Sequence, residues 1–177
     1  YVSKKIQKEL QVPIQGWFAQ DAQFEMGPVF ERAQNIRGFQ IASPSLMGIR
    51  CVKSSFSMIK DAGIDVIAQK AATGTQMMID LYDAWLAPLG FELNTSRDSK
   101  ERGGHISLVH PDAAQICVAL REISNVIPDY RTPNSIRLAI SPLPTSFVEV
   151  WDGFARMRDL VASGQYKTIK EGGSRVT

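Results

Sequence analysis

Residue types that commonly carry chemistry are scarce in this chain of 177 residues. It has two cysteines and two histidines, too few and too dispersed for a convincing zinc site. Its formal net charge of +2 is too small to indicate binding to nucleic acid or to a membrane surface. No apolar run approaches the length of a membrane span, and no signal peptide is visible. The composition is that of an ordinary globular protein.

Motifs for nucleophilic catalysis and for phosphate binding are also missing. There is no G-x-S-x-G sequence, no glycine-rich loop follows a predicted strand, and no lysine lies in an apolar, pocket-like context. His105 and His110 are predicted to be structural histidines rather than a catalytic base. Cys51 and Cys117 each fall in an apolar helical pattern, which predicts two buried, reduced thiols. The chain begins at Tyr1 without methionine, and we expect it to be a piece of a longer polypeptide.

The apolar pattern divides the chain into four stretches. Residues 1–45, with a short helix over Tyr1–Leu10 and then many glycines and prolines, are expected to form an irregular segment that lines a site. Residues 46–88 are predicted to be two connecting helices. Residues 89–166 predict a small α/β domain, a mostly antiparallel sheet covered by helices on one face, and residues 167–177 a flexible tail. Within the domain the predicted strands are 91–93, 105–109, 126–127 and 135–140, and the helices are 112–123 and 145–162.

The two connecting helices each carry an apolar face that we expect to be buried. Asp65 is predicted to be the N-cap of the second helix. The predicted inward-facing side chains are Leu46, Ile49, Val52, Phe56 and Ile59 in the first helix and Val66, Ile67, Met77, Met78, Leu81 and Trp85 in the second.

Three residues are candidates for ligand binding. Arg137 lies between apolar neighbours in a predicted strand, and its guanidinium can bind a carboxylate in two parallel hydrogen bonds or pair internally with an acid such as Asp129 or Glu149. Trp17 has an indole N–H that can reach a phosphate or carbonyl, although core packing is the commoner role of tryptophan. Ser43 precedes a predicted helix, where it can cap the helix or accompany an anion bound there.

Several motifs, in one order from about Ile14 to Tyr166, together resemble the kynureninase family. They are Gly16-Trp17-Phe18, Phe24-Glu25-Met26-Gly27-Pro28, Arg37-Gly38-Phe39, Ser43-Pro44, Arg102-Gly103-Gly104-His105-Ile106-Ser107-Leu108, His110-Pro111, Ile127-Pro128-Asp129-Tyr130-Arg131-Thr132-Pro133-Asn134, Ile136-Arg137-Leu138-Ala139, Pro142-Leu143-Pro144-Thr145-Ser146-Phe147 and Glu149-Val150-Trp151-Asp152.

The resemblance implies the C-terminal part of a pyridoxal 5'-phosphate enzyme with the aspartate-aminotransferase fold. Such an enzyme hydrolyses L-kynurenine to anthranilate and L-alanine in tryptophan catabolism and NAD biosynthesis, as a cytoplasmic homodimer that binds no nucleic acid and no membrane. Arg137 then corresponds to the arginine that binds the substrate α-carboxylate, and Phe18 lies against its aromatic ring. Trp17 and Ser43 correspond to contacts with the cofactor phosphate, supplied to the neighbouring subunit.

The same resemblance places the Schiff-base lysine, the aspartate that pairs with the pyridine nitrogen and the main phosphate loop upstream of Tyr1. The chain alone is therefore expected to bind cofactor poorly and to be inactive. Ala19 and Gln20 stand where family members usually have Gly and often His, and Pro144 replaces a usual tyrosine. Two alternatives stay open: a cysteine desulfurase or selenocysteine lyase, against which the predicted burial of both cysteines counts, and a non-catalytic interaction module.

Overall fold

A computed structural model describes residues 1–169, which form two compact units. The first unit is Tyr1–Met58, and the second starts at Ile59. From residue 170 onwards the predicted tail lies outside the described residues. Among the described helices, none combines the length and the apolar character that a membrane span needs.

The first unit contains little regular structure. Two short 3-10 turns, Trp17–Ala19 and Ile36–Phe39, lie in it, and an isolated bridge pairs Gln20 with Arg32. The predicted helix over Tyr1–Leu10 is wrong, because this segment forms successive turns instead. A helix of that length pays a nucleation cost that its few hydrogen bonds do not offset without tertiary packing.

Two long helices follow, α1 (Leu46–Ala62) and α2 (Ile64–Leu81). Gly63 separates them with a φ of 83°, a backbone conformation that residues other than glycine rarely adopt. Gly63 is also the N-cap of α2, so the prediction that Asp65 caps this helix is wrong; Asp65 lies in the first turn. Beyond α2 the chain continues through a π-helical turn, Tyr82–Leu86, and a 3-10 turn, Ala87–Leu89.

The predicted apolar face of α1 is not buried in this structure. Leu46, Ile49, Val52 and Phe56 are all more than half exposed, because no described residue covers this face. The prediction fails at the start of α2 as well, where Val66 is exposed. It succeeds at the end of that helix, where Met78 and Leu81 are buried.

The second unit contains a four-stranded antiparallel sheet in the order β1-β2-β4-β3. Its strands are β1 (Glu92–Leu93), β2 (His105–Val109), β3 (Asp129–Arg131) and β4 (Ser135–Ala139). The predicted strand at 126–127 is wrong, and β3 begins three residues after its predicted start. The backbone N–H of Val126 instead bonds the carbonyl of Leu120, which closes the turn after the preceding helix.

Helices cover one face of this sheet. The helices α3 (Ala113–Glu122) and α4 (Phe147–Ala162) pack with the end of α2 around Ile106, Leu108 and Ile136, all fully buried. Side chains alternate between the two faces of a strand, so the intervening residues point to the uncovered face. The predicted class, a small antiparallel sheet with helices on one side, is confirmed.

Candidate functional site

The uncovered face of the sheet carries a cluster of three charged side chains. In the pairing of β3 with β4, Asp129 lies directly opposite Arg137, and Arg131 lies opposite Ser135. Directly opposed residues share a face, and residues two apart on one strand do as well. Asp129, Arg131 and Arg137 are therefore brought together by strand register alone.

One oxygen of Asp129 accepts all the hydrogen bonds recorded in this cluster. Its Oδ2 accepts from Nε of Arg131 at 3.0 Å and from Nη2 of Arg131 at 2.9 Å. Nη2 of Arg137 also contacts this oxygen. The carboxylate is thus shared between two guanidinium groups, and the recorded pairing with Arg137 uses one nitrogen of its fork.

The electrostatic balance of the cluster favours one more anion. Burial alone would raise the pKa of Asp129, but the hydrogen bonds from Arg131 and Arg137 outweigh it and hold that pKa below its ordinary value. The aspartate is accordingly ionised at neutral pH. Two cations and one anion leave a local charge of about +1, which a ligand carboxylate would neutralise.

The side chain of Arg137 is accessible from outside the sheet. It is 37% exposed, and Asp129 is 31% exposed. Of the two internal partners considered from the sequence, Asp129 is the one that pairs with Arg137. Glu149 instead accepts from the N–H of Ser146 at 2.7 Å in the capping box of α4. An internal ion pair is present, but it does not seal the arginine in a core.

Trp17 and Phe18 lie next to each other in the first unit. Their ring centroids are 5.4 Å apart in an edge-to-face contact, and the indole is half exposed. The indole N–H donates to the carbonyl of Gln23 at 2.8 Å. Trp17, Gln20 and Gln23 line a cavity of about 360 Å³ that opens to solvent. Trp17 is therefore a surface tryptophan with a hydrogen-bonded indole, not a core residue.

Ser43 does not cap α1. The hydroxyl of Ser45 accepts from the backbone N–H of Gly48 at 3.2 Å and performs that role. Ser43 lies in an exposed, non-helical stretch before the helix. Its hydroxyl forms no recorded bond with the rest of residues 1–169, so it remains a candidate donor to an external group.

The roles assigned to Trp17, Phe18, Ser43 and Arg137 stay predictions. The first three belong to one unit and Arg137 belongs to the other. The first unit presents the exposed hydroxyl of Ser43 and two adjacent aromatic rings, and the second presents an accessible cation.

His110 is a structural histidine, as predicted. Its side chain is buried against Phe91, with ring centroids 4.6 Å apart. Its Nδ1 accepts from the N–H of Asp112 at 3.0 Å, and the ring also bonds the backbone of Leu89. Burial lowers the pKa of this imidazole, which favours a neutral ring held on both sides.

The two cysteines differ from each other. Cys117 is buried, as predicted, and burial raises the pKa of its thiol to about 12. Cys51 is exposed on α1, so the prediction of two buried thiols is wrong for this residue. The difference arises because α1 has no buried residue, whereas Cys117 lies in the core of the second unit. Within residues 1–169, no three His, Cys, Asp or Glu side chains form a group that could hold a metal ion.

Arg131 is the member of the cluster that sequence reasoning missed. Side chains two residues apart on a strand share a face of the sheet. A predicted strand that included both Asp129 and Arg131 would therefore have placed Arg131 on the face that carries Arg137. The signal was obscured because the strand was predicted at 126–127, with its start three residues before the actual one.

Comparison with known proteins identifies the family. The family model described as "Kynureninase C-terminal domain" matches residues 67–157. The chain is 39% identical to a kynureninase of Geobacillus thermodenitrificans over 86% of its own length and 36% of that protein's. It is 35% identical to a kynureninase of Bacillus thuringiensis, over 96% of the chain and 40% of that protein. A kynureninase of Shouchella clausii is 35% identical over 88% of the chain and 36% of its own length.

The chain thus spans between a third and a half of the length of these relatives. The similarity to the Bacillus thuringiensis protein, which covers 96% of the chain, includes the second unit and extends into the first unit. This chain belongs to the kynureninase family, of which it represents the C-terminal portion.

Proposed function

We propose that the whole protein is a pyridoxal 5'-phosphate-dependent hydrolase that cleaves L-kynurenine to anthranilate and L-alanine. The observation that carries this proposal is Arg137, a partly exposed guanidinium in a chain of the kynureninase family. Arginine is the side chain best suited to a substrate carboxylate, because its planar fork matches the two oxygens. The substrate of the proposed reaction is a small amino acid with such a group.

The exposed donors of the first unit fit the phosphate of the cofactor. The indole of Trp17 is half exposed, and the hydroxyl of Ser43 is exposed and available. A phosphate oxygen accepts hydrogen bonds from a hydroxyl and from an indole N–H. The indole N–H of Trp17 would exchange the carbonyl of Gln23 for the phosphate. When bound, pyridoxal phosphate supplies the electron sink of the reaction, and the protein orients the substrate. These two residues would hold the phosphate, in the neighbouring subunit of a homodimer.

The remaining residues orient the substrate. Arg137 binds the α-carboxylate and so fixes the amino-acid end. Phe18, half-buried beside Trp17, offers an apolar ring against which the aromatic end can pack edge-on. Fixing both ends lowers the entropic cost of bringing the reacting atoms into position.

The chain alone is proposed to be inactive, because the lysine that holds the cofactor belongs to the remainder of the polypeptide. No described lysine is buried. A lysine that reacts with a carbonyl group is activated by desolvation or by a neighbouring cation, which an exposed surface position does not provide. In the whole enzyme, residues 1–45 line the site and residues 46–88 form the connecting helices. Residues 89–166 form the small domain. We further propose a cytoplasmic location and a role in tryptophan catabolism and NAD biosynthesis.

A fluorescence assay of anthranilate tests this function. The whole protein, supplied with pyridoxal phosphate and L-kynurenine, should release anthranilate, and the 177-residue chain under the same conditions should release none. Whole protein without added substrate is the control. Absence of anthranilate from the whole protein would overturn the proposed reaction. Anthranilate from the chain alone would overturn the assignment of the missing groups to the rest of the polypeptide.

A further inference from the structure

We propose that Asp129, itself held by Arg131, is a positioning residue that orients the Arg137 guanidinium toward the substrate carboxylate. This inference rests on the proposed function and extends it to two residues that need not touch the substrate. It starts from the sharing of one carboxylate oxygen between two guanidinium groups.

The backbone of Arg137 is already fixed by its place in the sheet. Its strand β4 lies between β2 and β3, where Ser107 and Asp129 are its direct neighbours. The Cα position is therefore rigid, but the long side chain keeps several rotamers and would lose them only on binding. A carboxylate fixed at the far end of the side chain removes much of that freedom before the substrate arrives.

Asp129 can act as such an anchor because it is held from the other side. Arg131 donates two hydrogen bonds to Oδ2, at 3.0 and 2.9 Å, and lies on the same strand. The turn that joins β3 to β4 is further fastened by the hydroxyl of Tyr130, which donates to the carbonyl of Pro133 at 2.6 Å. The acid is thus less free to move with the arginine that it orients.

The contact leaves Arg137 able to bind a second anion. Only Nη2 of its fork contacts Asp129 in the recorded bonds among residues 1–169. Because Nη2 carries two N–H groups, its second N–H and the adjacent nitrogen on that edge still offer two parallel donors to a ligand. An aspartate that competed with the substrate would be expected to occupy the guanidinium fork with both of its oxygens. Asp83 does so with Arg97, in two parallel bonds of 2.7 and 2.8 Å. The excess positive charge of the cluster likewise favours addition of an anion over exchange.

A purely structural ion pair makes a different prediction. Loss of such a pair would lower the stability of β3 and so the amount of folded enzyme, which lowers the apparent kcat and leaves KM unchanged, whatever residue stands at 137. A positioning role requires that the effect on substrate binding pass through Arg137. These two roles can therefore be separated by a double-mutant cycle.

The cycle uses the whole protein with Asp129→Ala, Arg137→Lys and both together. We expect Asp129→Ala to raise the KM for L-kynurenine about tenfold with kcat within about twofold, a coupling of ordinary size for contacting residues. In the Arg137→Lys background the same change should have little further effect. Asp129→Asn keeps the size of the side chain and an acceptor oxygen, so it should recover part of the loss. Asp83→Ala, which breaks an exposed ion pair elsewhere in the unit, is the matched control and should leave both constants unchanged.

The binding of L-kynurenine is also measured by calorimetry on the whole protein without pyridoxal phosphate, because the active enzyme would hydrolyse this ligand during the titration. An Asp129→Ala protein that folds and binds L-kynurenine as tightly as the unaltered protein would overturn the inference, provided that Arg137→Lys weakens binding. If Asp129→Ala does not fold, Asp129→Asn decides in the same way. If Arg137→Lys has no effect, or the whole protein with pyridoxal phosphate does not turn over L-kynurenine, the proposed function fails first and the inference fails with it.

Discussion

Asp129 and Arg137 lie directly opposite each other on β3 and β4, and a guanidinium nitrogen of Arg137 contacts the carboxylate Oδ2. Cross-strand neighbours on the uncovered face of a sheet are held by the backbone ladder, so their relative position does not depend on loops. A ligand that approaches this face therefore meets a cation whose backbone position is set by strand register and whose side chain contacts Asp129. This arrangement underlies the proposed role of the unit in substrate binding.

The buried His110 should make stability depend on pH. Its pKa is lowered by burial, so the unfolded state takes up the proton first as the pH falls. The free energy of unfolding should be highest above the ordinary pKa of 6.5 and should decrease as the pH falls below it. Urea unfolding at several pH values between about 7.5 and 5.5 would measure this slope. His110→Gln should flatten it, and His105→Gln, an exposed position on β2, should not.

Stability of the second unit should depend on the contacts of Leu120. This side chain is fully buried in the core beneath the sheet. Leu120→Ala should lower the free energy of unfolding by about 2–5 kcal/mol, because it removes buried methyl groups and leaves a cavity. Val148→Ala, at a position 70% exposed on α4, should change it by less than about 0.5 kcal/mol. Equal losses from both changes, measured by chemical denaturation, would contradict the described core.

The start of α4 should depend on its capping box. The hydroxyl of Ser146 accepts from the N–H of Glu149 at 3.2 Å, and the N–H of Ser146 donates back at 2.7 Å. Ser146→Ala should lower the free energy of unfolding by about 1 kcal/mol. Ser54→Ala, in the exposed interior of α1, is the control and should be neutral or slightly stabilising, because alanine is the better helix former. If Ser54→Ala costs as much as Ser146→Ala, the cap is not responsible.

The sequence predicted the regular elements of the second unit well where apolar periodicity and turn residues agree. The bounds of β2 and the end of α4 match the prediction, and β4 differs by one residue. The strand placed at 126–127 failed because two apolar residues were read as a strand, whereas Val126 closes the turn that follows α3 through its bond to Leu120. Local pattern does not distinguish these two uses of a short apolar pair.

The α1 helix shows a different limit of sequence reasoning. Its apolar period correctly predicted a helix, but Leu46 and Phe56 are exposed and Cys51 is exposed with them. Periodicity indicates that a face is apolar, not which surface covers it. The charged cluster could likewise be predicted only in part from the sequence. Arg137 stood out as a cation among apolar neighbours, whereas the part played by Arg131 required the true register of β3.

The role of Arg137 is tested most directly by comparing Arg137→Lys with the unaltered whole protein. Lysine keeps the charge but loses the planar fork, so we expect kcat/KM for L-kynurenine to fall by the equivalent of about 2–5 kcal/mol. Arg97→Lys, which alters the exposed pair with Asp83, serves as the control and should change kcat/KM little. A loss confined to Arg137→Lys is the predicted result. An unchanged kcat/KM in Arg137→Lys would contradict the account, because the substrate carboxylate would then be bound elsewhere.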